Sequence, residues 1–166
     1  LGLSLAGCSL VGSSTPPQPT KTSASALSSL VPNYGGTLTA ANAKSVTVKT
    51  ADAIQALIAT TDVVHVDDHS KLVAATSSTG AFYGVERAIS TSKSFDAIDQ
   101  AVAMDKLLVA AGWVSRASTT ATTTYTVQLT VATSVGTSAL FLEADTTVGG
   151  APVILIEIES PDLPKK

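Results

Sequence analysis

Tyr125-Thr126-Val127-Gln128-Leu129-Thr130-Val131 alternates apolar and polar side chains without a break. Successive side chains of a strand point to opposite sides. The stretch therefore predicts a strand with Tyr125, Val127, Leu129 and Val131 on a dry face and Thr126, Gln128 and Thr130 turned outward. The pattern continues on both sides. Trp113 to Ser118 predicts a strand before it. Ser138 to Asp145 and Pro152 to Glu159 predict two after it, joined through Gly149-Gly150, a natural hairpin corner.

Upstream of these strands the period changes. Phe95 to Ala111 reads as a helix, with Ser94 as its cap, Asp96 in the favourable first turn and Gly112 closing it. At about 100° per residue, Ala97, Ile98, Ala101, Val102, Met104, Leu108, Val109 and Ala111 fall on one arc. A helix followed by an antiparallel meander gives the expected class: α+β, an antiparallel β-meander covered on one face by helices, as a two-layer sandwich. The first half of the chain is less regular. Ser45-Val46-Thr47-Val48 alternates like a short strand, yet Ala40 to Thr60 also suits a helix, and Ala51 to Ala59 has helical spacing. Asp62 to Asp67 is β-branched and reads as a strand. Phe82 to Ile89 admits either period; a strand is favoured, with Tyr83, Val85, Arg87 and Ile89 on one face.

The N-terminal region has a different character. Leu5-Ala6-Gly7-Cys8 matches the lipobox of bacterial lipoproteins at every position. In that motif the cysteine thiol takes a diacylglyceryl group, and a signal peptidase that needs small residues cuts before it. Cys8 is the only cysteine, so neither a disulfide within the chain nor a cysteine metal cage can form. Two acyl chains, at about 0.8 kcal/mol per buried methylene, make a lasting anchor. Residues 9–30 are rich in Ser, Thr and Pro and cannot bury a core. The expected organisation is residues 1–7 as the end of a signal peptide, 8–30 as lipidated cysteine and flexible tether, 31–160 as the α+β domain, and 161–166 as a tail.

Composition limits the function. Hydrophobic residues make up 45% of the 166 positions and aromatic ones 4%, so the core must be aliphatic. Net charge is −3 and the ten basic residues are scattered, which argues against nucleic-acid binding. Helix, Ala111-Gly112-Trp113, strand meander and Ser160-Pro161, taken with the lipobox, resemble a class of small actinobacterial cell-envelope lipoproteins. The likeness covers roughly residues 80–161 and the lipobox. It implies lipidation of Cys8 and a place on the outer face of the cell membrane, and implies no other site residue.

Three constellations bear on chemistry. His65-Val66-Asp67-Asp68-His69 holds both histidines, and a metal would use His65, Asp67 and His69. In a straight strand these share a face, but the two ends lie about 13 Å apart, so one ion requires a turn at Asp67-Asp68. The alternative is a strand leaving the core into an acidic turn. Asp105 falls inside the apolar arc of the helix, where a carboxylate needs a partner, an edge or a proton. Arg116 or Arg87 is the expected partner; the functional reading puts Asp105 and Arg116 in a ligand pocket. Trp113 is expected to be a core anchor. There is no Gly-x-Ser-x-Gly, and Gly35-Gly36 and Gly149-Gly150 lack the lysine and spacing of a phosphate loop. The function expected is a non-catalytic, membrane-anchored envelope interaction or accessory module without a cofactor, with an envelope protein or an apolar ligand as partner. The alternatives are a carrier of an apolar ligand between helix and sheet and, behind it, an envelope hydrolase.

Overall fold

The computed structural model describes residues 24–76, 80–147 and 150–164; Cys8 and most of the Ser/Thr/Pro stretch lie outside them. Helix α1 is Ala24–Ser28, α2 Ala40–Gln55 and α3 Ala97–Ala111. The strands are β1 Val63–Asp68, β2 Lys71–Val73, β3 Phe82–Thr91, β4 Val114–Thr120, β5 Thr124–Thr133, β6 Gly136–Asp145 and β7 Val153–Glu159. They form one open antiparallel sheet in the order β1-β3-β7-β6-β5-β4, with β2 pairing β3 beside β1. The class is α+β. Strands β4 to β7 are the meander that the alternation predicted. β3 and β4 run parallel across the sheet, and α3 carries the chain between them, touching β5, β6 and β7 on the way.

Burial alternates strictly along the central strands. Tyr83, Val85, Arg87 and Ile89 of β3 are buried, as are Ile154, Ile156 and Ile158 of β7 and Tyr125, Val127, Leu129 and Val131 of β5. They share a core with Ile54 of α2 and Met104 and Leu108 of α3. Trp113 is buried and donates its indole N–H to the Leu30 carbonyl at 2.8 Å, so its polar handle is satisfied inside the core.

Several expectations shift. Residues 45–48 belong to α2, not to a strand. Ala43, Thr47, Ala51 and Ile54 are buried at helical spacing. A capping box starts the helix: the Asn42 amide donates to the Thr39 hydroxyl, and the Thr39 amide to the Asn42 side chain. The cap of α3 is Asp96, whose carboxylate accepts from the Asp99 amide, rather than Ser94. Gly112 ends that helix with φ +117°, a left-handed conformation that favours glycine. Val109 is half exposed, outside the buried arc. The domain also exceeds the bounds of 31 and 160. Leu30 is 1% exposed and Leu27 packs on the core, so the chain from residue 24 is part of the fold. At the other end Pro161 is buried, the Leu163 amide donates to Ala81, and the Gly80 amide donates to the Asp162 carboxylate.

Candidate functional site

The alternation that buries one face fixes what the other presents. Glu86 of β3 stands directly opposite Glu157 of β7, which stands opposite Phe141 of β6, which pairs with Gln128 of β5. Glu159 follows two residues on, and Glu143 is opposite Leu155. Residues two apart on a strand share a face. All four glutamates of the chain therefore lie on this one outward face. Among the described residues no ion pair or side-chain hydrogen bond neutralises them. Burial pushes the Glu157 carboxyl up, and the charges of Glu86, Glu159 and Glu143 add to that. Glu159 is also pushed up, by burial and then by Asp162.

The face is furrowed. A cleft of about 410 Å³ is lined by Arg116, Gln128, Thr130, Phe141, Glu157 and Glu159 among others. A second of about 150 Å³ is lined by His69, Lys71, Phe82, Glu86, Glu157 and Glu159 among others. The two meet at Glu157 and Glu159. Arg116 stands at the β4 side and Lys71 at the β2 side. Carboxylates with no partner among the described residues, half-buried Phe82 and Phe141, and a guanidinium at the rim line the two clefts. The histidine contact on this side is His65 Nε2 to Asp67 Oδ1 at 3.0 Å, both exposed.

The expected site residues do not converge. Asp105 and Arg116 lie on opposite sides of the sheet. Asp105 pairs with neither arginine: the Tyr125 hydroxyl donates to its Oδ2 at 2.7 Å. The reason is the crossing of α3 over β5, where Tyr125 is an inward residue. Burial, then the hydrogen bond and charge of Asp105, push the Tyr125 hydroxyl far above its ordinary value. Asp105 Oδ1 is buried with no hydrogen-bond partner among the described residues. Arg116 sits at a bulge in the β4–β5 ladder, and its Nε donates to the Thr130 hydroxyl at 2.8 Å. Arg87 is on the dry face, where its three nitrogens meet Asp68 at 3.0 Å, Asp52 at 2.8 Å and Gln55 at 3.1 Å.

His65, Asp67 and His69 are not brought together as a set of three. The structure joins the first two only, and no group of three His, Cys, Asp or Glu among the described residues could hold a metal ion. The β1–β3 pairing is regular from His65 to Asp68, and the His69 amide continues it by donating to the Glu86 carbonyl, so the chain makes no turn at Asp67-Asp68 that would bring the ends together. The glutamate face was missed. Its sign in the sequence is parity: Glu86, Glu157 and Glu159 sit at outward positions of three-residue and longer alternations. Which strand lies beside which is not written there.

The interval between α3 and the sheet is filled by Ala101, Met104, Leu108, Leu142 and Ile156, each at 0% exposure. The clefts named above lie on the other side. No helix among the described residues is long and apolar enough to cross a membrane. Comparison with known proteins gives no match to a family model, to a curated protein or to a solved structure.

Proposed function

We propose that this chain is a membrane-anchored surface lipoprotein whose domain is a non-catalytic interaction module of the cell envelope. In this reading the helices cover one face of the sheet, as a two-layer sandwich, and the other face is free to receive a partner. The observation that carries it is the outward face itself, with its two clefts meeting at Glu157 and Glu159. Glutamate is a poor strand former, and like charges placed opposite each other destabilise a sheet. Neighbouring outward positions on β5 are Thr124, Thr126 and Thr130, which avoid that cost. A face that keeps glutamates on its central strands is selected for something other than stability. The lipobox ending at Cys8 supplies the anchoring half of the reading.

Two measurements test it. A photo-crosslinking amino acid replaces Phe141 in the full chain expressed in its native envelope, and the products are identified. A reproducible partner crosslinked at Phe141, and absent when the same group is placed at exposed Lys106 on α3, is expected. Absence of any Phe141-specific product would sink the interaction reading. In parallel, Cys8→Ser is expected to move the protein from the membrane to the soluble fraction; a mutant that resists a carbonate wash would refute lipid anchoring.

A further inference from the structure

The two edges of the sheet differ. At one edge β1 has a bulge between Val63 and His65, two exposed aspartates, and β2 continuing alongside on β3. Charges, bulges and short strands are how sheets keep an edge from pairing with another chain. β4 is the other edge. It has seven residues, Val-Ser-Arg-Ala-Ser-Thr-Thr, and every one is exposed. Its ladder is with β5 alone. The backbone N–H and C=O groups on its far side are paired by no strand among the described residues. It has no lysine, proline or acidic residue. The β4–β5 ladder has a bulge between Ser115 and Ala117, where the strand's one charge, Arg116, sits with Nε donating to Thr130, but the pairing from Ala117 to Thr120 is regular and carries no charge. Val114, at 51% exposed, adds an apolar side chain at the same rim.

We infer that β4 is a strand-addition site, which takes an extended segment of a partner protein as an eighth strand, with a carboxylate of that segment set against Arg116. The backbone groups give affinity without regard to sequence, and the side chains that alternate along the added strand give selectivity. Arg116 supplies that selectivity. Its two terminal nitrogens make no hydrogen bond or ion pair with a described residue, and its planar fork matches a carboxylate. It also lines the cleft of about 410 Å³, so a strand added at β4 would bring its own outward side chains to the mouth of that cleft. The inference rests on the interaction-module reading and names the chemistry of the partner.

The probe is the peptide acetyl-Thr-Val-Thr-Glu-Thr-Val-Thr-amide, titrated into the full chain and followed by calorimetry. Binding with a dissociation constant below about 1 mM is expected. Methylating alternate backbone nitrogens of the probe is expected to weaken it by about tenfold or more, because only backbone pairing depends on those groups. Arg116→Glu is expected to weaken the probe by about fivefold or more and to favour a probe in which lysine replaces the glutamate. Arg116 is exposed, so the variant's unfolding midpoint should stay near that of the parent. Ser118→Lys, which sets a lysine at the edge, is expected to abolish binding. Equal affinity for the methylated probe, indifference to Arg116→Glu, or no binding at about 1 mM would each overturn strand addition. So would sedimentation of the probe-free chain as a dimer that Ser118→Lys dissociates, since the occupant would then be a second copy. A partner crosslinked at Phe141 that survives Ser118→Lys would refute strand addition and leave the interaction module standing.

Discussion

Trp113 and Leu30 are 83 residues apart in the chain and are joined by a 2.8 Å hydrogen bond from the indole N–H to the Leu30 carbonyl. The bond places the end of the Ser/Thr/Pro stretch inside the core, and the Leu30 side chain is buried with it. Leu30→Ala should therefore destabilise the domain by about 2–4 kcal/mol in urea denaturation, the usual cost of emptying a buried leucine site. A chain starting at residue 31 should lose more, because the Trp113 N–H would also lose its acceptor. One starting at residue 24 should keep full stability. An unchanged midpoint for the chain starting at 31 would show that the segment only rests on the surface.

Arg87 is a buried guanidinium on a dry face, side-chain exposure 7%, while its partners Asp52 and Asp68 are 61% and 42% exposed. The two sides of this pair should respond differently to mutation. Arg87→Met keeps the aliphatic bulk and leaves two carboxylates that water can solvate, so its cost should be within about 1 kcal/mol. Asp68→Ala removes the Nε partner of a charge that water reaches poorly, and should cost about 1–2 kcal/mol once discounted for the exposure of Asp68. Chemical denaturation of both variants checks the order. Arg87→Met costing more than Asp68→Ala would mean that the ion pairs, not the packing, hold α2 and β1 to β3.

The strands were legible because each follows a single rule. In Tyr125–Val131 the period of two is unbroken, and the same parity buries Tyr83, Val85, Arg87 and Ile89 as the sequence suggested. α2 was ambiguous because β-branched Val46, Thr47 and Val48 sit in its middle, where the capping box and the buried stripe outweigh their preference for strands. The helical period shows that Asp105 needs a partner. It does not show which, because an inward tyrosine hydroxyl serves as well as an arginine, and only the crossing of α3 over β5 selects it. The glutamate face depends on β3 returning to pair with β7 across more than sixty residues of chain. Long-range register of that kind leaves no local trace.

Asp105 and Tyr125 should show an asymmetric double-mutant cycle. Tyr125→Phe leaves both oxygens of Asp105 without a hydrogen bond from the described residues, since Oδ1 already has none there. It should cost about 1–3 kcal/mol. Asp105→Leu places an apolar side chain on an apolar arc and should cost less. Combining Asp105→Leu with Tyr125→Phe should recover most of the loss, with a coupling of about 1 kcal/mol by equilibrium denaturation. Strict additivity of the two single changes would show that the 2.7 Å contact contributes nothing.

The pH dependence of stability should peak in mildly acid solution, because two sets of carboxyls pull in opposite directions. Glu157 and Glu159 have folded-state pKa values raised above the ordinary 4.5. Their contribution to stability is complete below that value and is lost as pH rises through the raised pKa. Asp68 is the opposite case. Burial pushes it up, but the Ser70 hydroxyl, the Arg87 guanidinium and the Ser70 amide together overcome burial and hold it below its ordinary 3.8. Its contribution is present above that value and is lost as pH falls through the lowered pKa. Lowering the pH from 7 to about 4.5 should thus raise the thermal midpoint, and going below about 3.8 should reduce it. Glu157→Gln separates the two limbs. It removes the repulsion with Glu86, Glu159 and Glu143, so it should raise the midpoint at pH 7 and flatten the rise on acidification, while leaving the acid limb in place. Asp68→Asn should do the reverse and weaken the fall below about 3.8. Scanning calorimetry of parent, Glu157→Gln and Asp68→Asn across that range checks both signs. A midpoint for Glu157→Gln below that of the parent at pH 7 would show that Glu157 is held by contacts that stabilise its charge, against the arrangement described above.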